Sequence, residues 1–199
     1  MRAKSINRAP PKVHDGPSEP SMGFTVVELL VALAIFSIAF GTIYKSFEHL
    51  SRSTTTENVK AGIQQGTRIA VDFIVQDIRL AGLNPMGTPG IGILAATSDS
   101  IRFSMDTNYD GDANDPFEDI TYAFNSADGT LMQTNHLGAE VLMDNVTGVI
   151  FTYLDSDDQT TGESSEIRSV IVSLTADRKA GRDKAVSRTY TTRVRCRNL

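Results

Sequence analysis

Two groups of carboxylates have the type and spacing to do chemistry. The first is a single acid, Glu28, set in an apolar run from Phe24 to Phe47 whose stretch Leu29 to Tyr44 holds no charge. A carboxylate within a membrane-spanning helix costs on the order of 3 kcal/mol even on lenient insertion scales, so an acid there asks for a cationic partner. The second group is Asp106-Thr107-Asn108-Tyr109-Asp110-Gly111-Asp112-Ala113-Asn114-Asp115, with oxygen-bearing side chains at alternate positions and a glycine at the sixth. Alternating oxygens suit a hard cation, and the glycine permits the sharp turn that wrapping one requires.

This second group resembles a calcium-binding loop in its side chains at positions one, three and five and its glycine at six, and then departs from it. Its twelfth position is Phe117, the acid falls one residue later at Glu118, and Pro116 prevents an ordinary exiting helix. Two readings stand side by side. One is a non-helical calcium loop between strands, with Asp106, Asn108, Asp110, Asp112 and Glu118 as ligands and the ion stiffening a self-repelling segment. The other is a solvated acidic hairpin tip.

Other reactive types are sparse. His14 lies near the start, His49 beside the apolar run, and His136 in a turn-like Asn-His-Leu-Gly setting. Asp72 and Asp77 are five apart, a poor spacing for a shared site on a helix. With no phosphate-cradling glycine loop and no histidine-based zinc spacing, the sequence predicts a protein that is not an enzyme and requires no cofactor. Cys196 is the sole cysteine, which excludes an intramolecular disulfide and a multi-cysteine metal site.

The 199 residues, 40% of them hydrophobic, suffice for one domain and an appendage. Taking away the first 23 residues removes four positive and two negative charges from a net of -5 and leaves -7. An acidic body argues against a nucleic-acid partner. The basic residues from Arg178 to Arg197 are interleaved with Thr, Val and Tyr in the manner of a solvated strand face.

The elements that must position these groups begin with the apolar run, which is long enough to cross a bilayer as a helix. A secretory signal would be shorter and end in small residues, which Ile43-Tyr44-Lys45-Ser46-Phe47 does not offer. Beyond Tyr44 an amphipathic stripe of Val59, Ile63, Gly66, Ala70, Phe73, Ile74, Asp77, Ile78 and Ala81 predicts that the helix continues with its apolar side on a sheet. Gly82 and Pro85 supply a stop, giving about 87 Å of helix at the usual rise. The β-branched and hydroxyl residues from Ser51 to Thr56 predict a loosening. After Pro85 the period becomes two: Ile101, Phe103, Met105; Ile120, Tyr122, Phe124; Val149, Phe151, Tyr153; Val170, Val172, Leu174. This predicts an antiparallel sheet, with a hairpin turn at Ser126 to Gly129, weaker strands at Val141 to Met143 and Tyr190 to Cys196, and a flexible tip from Asp155 to Glu166. The fold class is α+β, a long N-terminal helix packed on an antiparallel β head.

Met22-Gly23-Phe24-Thr25-Val26-Val27-Glu28-Leu29-Leu30-Val31-Ala32-Leu33-Ala34-Ile35 closely resembles the type IV prepilin cleavage and methylation motif. The resemblance implies a pilin-like fold. It makes residues 1–23 a leader cleaved after Gly23 by a prepilin peptidase and methylase, Phe24 the methylated new terminus, and Glu28 the glutamate of assembly. Residues 24–47 would be the transmembrane and polymerisation helix, 48–84 its amphipathic continuation, and 85–199 a periplasmic head, the basic leader staying cytoplasmic. The leader is longer than the short ones common in this family and holds four prolines, and no proline occurs between Phe24 and Leu83, where many major pilins carry a kink.

Arg68 to Gly82, ending Asp77-Ile78-Arg79-Leu80-Ala81-Gly82, is similar to the helix end of the PilW-like minor pilins, and Asp119-Ile120-Thr121-Tyr122 and Asn145-Val146-Thr147-Gly148-Val149 to their strands. That resemblance implies a minor pilin taking part in pilus initiation, with other minor and major pilins, the inner-membrane assembly platform and the membrane as partners. The alternatives are a J-like pseudopilin of type II secretion, whose helix ends comparably, and a membrane-tethered calcium-binding module that never polymerises.

Overall fold

The computed structural model describes residues 23–181 and 185–199. A long apolar N-terminal helix is followed by antiparallel β-sheets, an α+β, pilin-like architecture. The helix, α1, spans Val26–Leu80. The expected loosening at residues 51–56 does not occur. Thr54, Thr55 and Thr56 donate their hydroxyls to the carbonyls of Leu50, Ser51 and Arg52, so groups that could compete with the helix are satisfied along it. The helix stops at Gly82, whose φ of +77° suits a residue without a side chain. A Cβ there would also lie 2.3 Å from Leu199 Cδ2. Asn198 Nδ2 donates to the carbonyls of Arg79 and Leu80, capping the end.

The chain divides into two compact units at Glu48 and His49, within α1. In the second unit the strands form two sheets where the period-two pattern predicts one. The first is a five-stranded meander of β1 (Ile93–Ala96), β2 (Ser100–Ser104), β3 (Asp119–Asn125), β4 (Thr130–Asn135) and β5 (Gly138–Met143). The second joins β6 (Val146–Leu154), β7 (Ser169–Lys179) and β8 (Ala185–Arg195). Alternation fixes which face of a strand is buried, not which strand it pairs with. The chain turns at Asn145, φ +58°, and β6 pairs with β7 and leaves β5 behind. The stretch between β6 and β7 contains a 3₁₀ turn at Ser164–Glu166 and a bridge between Leu154 and Thr160.

The two sheets and the C-terminal part of α1 enclose one core: Val71, Ile74 and Ile78 from the helix, Ile101, Phe103, Ile120, Tyr122 and Leu131 from the first sheet, and Phe151, Val170, Val172 and Leu174 from the second. Ile63 closes a smaller cluster with Ala176, Ala180 and Val186. The buried stripe of α1 also takes in Thr67, Val71 and Val75. Phe73, expected inside, is 44% exposed and lines a groove with Ile69 and Val141. Two tyrosine hydroxyls inside are paired: that of Tyr122 donates to Asp77, and that of Tyr153 lies 2.7 Å from the Thr97 carbonyl, tying β6 to the turn after β1. Cys196 is buried, which pushes its thiol up to about 11.

Candidate functional site

Three described residues, Gly23 to Thr25, precede the helix. Gly23 has no neighbour within 4 Å of where a Cβ would stand, so among the described residues no contact calls for a glycine there. Phe24 follows, 91% exposed. Thr25 then caps α1. Its Oγ1 accepts from the Glu28 N–H at 3.2 Å, while Glu28 Oε2 accepts from the Thr25 N–H and hydroxyl, both at 2.9 Å. This reciprocal pair is a capping box. Glu28 thus serves its own helix through one carboxylate oxygen, and its other oxygen makes no hydrogen bond among the described residues. Thr25 is a candidate that the prepilin motif alone does not single out; the Thr-x-x-Glu spacing is its signal.

Every residue from 23 to 55 is exposed. The hydroxyls of Ser37, Thr42 and Ser46 donate to carbonyls three or four residues back, which leaves the outside of the segment almost wholly apolar. Within α1 an 18-residue window has a mean hydropathy of 2.4, with none of it buried. A surface of that kind is stable only when lipid or other apolar helices cover it.

The acidic loop joins β2 to β3, and the Met105 N–H bonds the Glu118 carbonyl at its stem at 2.8 Å. Tyr109, Gly111 and Phe117 take positive φ, winding the chain back on itself. Asp106 is fully buried and accepts from the N–H groups of Tyr109 (2.6 Å) and Gly111 (3.1 Å). Asn108 donates its amide to Asp110 (2.9 Å) and Asp115 (2.6 Å), which holds the Asp110 carboxyl below its usual range. Glu118 is also fully buried: Oε1 accepts from the N–H (2.8 Å) and hydroxyl (2.9 Å) of Thr107, and Oε2 has no partner. The structure groups Asp110, Asp112, Asp115 and Glu118, with one oxygen from each lying within 4.8 Å of the others. Of the five expected ligands, Asp110, Asp112 and Glu118 are in this group. Asp106 instead organises the backbone, and Asn108 spans two of the acids.

The remaining candidates stay apart. Asp72 is exposed, 3.7 Å from Arg68, whereas Asp77 is bonded to Tyr122 in the core. His49 is exposed, and His136 Nδ1 contacts the Asn114 carbonyl of the acidic loop. Arg188, Arg193, Arg195 and Arg197 are exposed on or just after β8, with Arg193 paired to Asp158. His14 with the other residues before Gly23, and Arg182 and Lys184, lie outside the described residues.

Residues 23–44 match the family model for the prokaryotic N-terminal methylation motif. No curated protein matches the chain significantly. The motif indicates a type IV pilin or pseudopilin-like protein that is processed by prepilin peptidase and associates with other pilins. Such proteins are typically structural and not enzymatic, and the bare apolar helix is consistent with membrane anchoring.

Proposed function

We propose that this chain is a PilW-like minor type IV pilin, cut after Gly23, methylated on Phe24, and built through Glu28 into the initiating part of a pilus. One observation carries the reading: an acid at the fifth position after Gly23, within a helical segment whose apolar side chains are all exposed. Cleavage creates an α-ammonium on Phe24. In low dielectric that cation and a carboxylate are each strongly disfavoured alone, so pairing the ammonium of one subunit with Glu28 of the next selects one axial register. The uncommitted oxygen of Glu28 is available for it. The capping box lowers the cost of carrying the acid through the membrane beforehand, because the carboxylate already accepts two hydrogen bonds.

On this reading residues 1–23 are the leader, 24–47 the segment held first by lipid and, once the assembly platform extracts it from the inner membrane, by sister helices, 48–84 its amphipathic continuation and 85–199 the periplasmic head. The similarity of residues 68–82 to PilW-like helix ends supports the minor-pilin role. Mass spectrometry of the native protein should find a methylated Phe24 terminus, and an intact Gly23–Phe24 bond would overturn the reading. Fractionation of the Glu28→Ala variant separates assembly from tethering: the variant should enter the membrane and be missing from sheared filaments. A tether that never polymerises would be absent from filaments in the wild type too.

A further inference from the structure

We propose that the loop between β2 and β3 binds one calcium ion through the carboxylates of Asp110, Asp112, Asp115 and Glu118. Four acids on a short loop are not in themselves a site, since acidic tips are often merely solvated. Glu118 is the reason for a stronger reading. It is fully buried, one oxygen is consumed by Thr107, and the other is sealed from solvent without a hydrogen-bond donor. A buried carboxylate oxygen with no partner is costly, and buried charges in proteins are paired or coordinate metals. Three more carboxylates offer an oxygen within 4.8 Å of one of its own, which adds repulsion and no compensation. Among the described residues no lysine or arginine forms an ion pair with any of the four. A cation at their centre is the missing counter-charge.

The dimensions agree. Oxygens bound to calcium lie about 2.3–2.6 Å from it, so two of them are separated by at most about 5 Å. The four carboxylates offer oxygens within 4.8 Å of one another. An all-oxygen donor set favours a hard ion, and a wound loop with exposed rims tolerates the irregular six to eight ligands of calcium better than the strict octahedron of magnesium. The winding needs no ion of its own, because Asp106 fixes the Tyr109 and Gly111 amides, and the Thr88 hydroxyl holds the Gly111 carbonyl at 2.7 Å. The Asn108 amide, donating to both Asp110 and Asp115, keeps two of the acids together. This site stands independently of the assembly reading.

The test is calcium chloride titrated into the full-length protein in detergent micelles, followed by calorimetry and by thermal melting. Saturable binding is expected with a Kd of about 0.1–1 mM, the range of extracellular modules. At ten times Kd the melting temperature should rise by about 3–5 °C. Asp112→Asn, at an exposed position, and Asp115→Asn, at a half-buried one, should each weaken binding by about tenfold, since ligand charge tunes affinity, and should melt no lower than wild type without calcium. Glu118→Gln should lose binding while the Thr107 contacts persist; if it misfolds, the two aspartate variants decide. Absence of a saturable calcium heat, an equal response to magnesium chloride, or wild-type affinity in both aspartate variants would overturn the site.

Discussion

The apolar segment and the head solve the same problem, hiding hydrophobic side chains from water, in opposite ways. In the head, Val71, Ile74 and Ile78 of α1 are covered by side chains from two sheets of the same chain. In residues 23–55 nothing is covered, and the helix is held by local devices alone: a capping box at Thr25 and Glu28 and hydroxyls returned to the backbone. The head therefore carries its stability within itself. The segment has a defined local structure whose energetic complement lies in another phase or another molecule. Substitutions should then read out differently in the two regions, in folding for one and in assembly for the other.

The largest effect should come from separating the two roles of Glu28. Glu28→Gln keeps an acceptor at the third helical position, where glutamine also completes a capping box, but removes the charge. Thr25→Ala does the reverse: it removes the cap, at a cost of about 1 kcal/mol to the helix, and leaves the carboxylate. If the acid pairs with a neighbouring terminus, Glu28→Gln should lower incorporation into sheared filaments by more than ~10-fold, because an ammonium is left unpaired in low dielectric. Thr25→Ala should lower it far less. Equal losses would show that capping, and not pairing, explains the glutamate.

Next in size is a pair of apolar truncations. Ile74 is fully buried, and Ile74→Ala should destabilise the head by about 2–5 kcal/mol in denaturant unfolding. Leu33→Ala removes a comparable side chain that is 54% exposed, and should move the same curve by less than about 0.5 kcal/mol. A large loss from Leu33→Ala in detergent would mean that the segment is covered by its own chain.

Much of this contrast is legible in the residues. An uncharged stretch from Leu29 to Tyr44 can only be a span or a buried helix, and alternation through Ile101 to Met105 or Val170 to Leu174 marks half-buried strands. What escapes the sequence is set by long-range pairing. Val71 and Phe73 are both apolar, yet Val71 is fully buried and Phe73 is 44% exposed; two residues apart on a helix they point in nearly opposite directions, and which of them meets the sheets is decided by the packing and not by the apolar pattern. The four short residues of β1 carry too little alternation to announce a strand. In the acidic loop the alternating pattern picks out Asp106 and Asn108, whereas left-handed turns at Tyr109 and Phe117 bring Asp115 to the carboxylate group and leave Asp106 to fix backbone amides. Thr25 is the reverse case, a local signal fully present in four residues.

A smaller effect tests the head's internal polar contact. Burial raises the Asp77 pKa above the ordinary carboxylate value, and the hydrogen bond from Tyr122 only partly offsets it. In the pH window between its unfolded and folded values, the folded state binds the extra proton, so stability falls as pH rises through that window. Below the unfolded pKa the contribution is fully present. Asp77→Asn removes the titration, and melting temperatures followed from about pH 3 to 7 should lack that component of the decline. An identical pH profile in the variant would place the Asp77 carboxyl in water, unlike the rest of the core face of α1.

The finest distinction lies between two glycines of the helix and its exit. Gly82 ends α1 at φ +77°, a conformation that costs a residue with a Cβ roughly 1–2 kcal/mol, and an added Cβ would also crowd Leu199 and the Asn198 carbonyl. Gly82→Ala should therefore lower head stability by at least about 1 kcal/mol. Gly41 sits inside the exposed helix, with nothing within 4 Å of its added Cβ. Taken alone, Gly41→Ala should strengthen the helix by about 0.5–1 kcal/mol, read as increased helicity or slower amide exchange around residue 41 in micelles. If the same change nevertheless impairs filament incorporation, the glycine is required by a neighbouring helix that approaches closer than a methyl group allows. The cost would then appear only in the assembled state, as expected for a segment completed by other molecules.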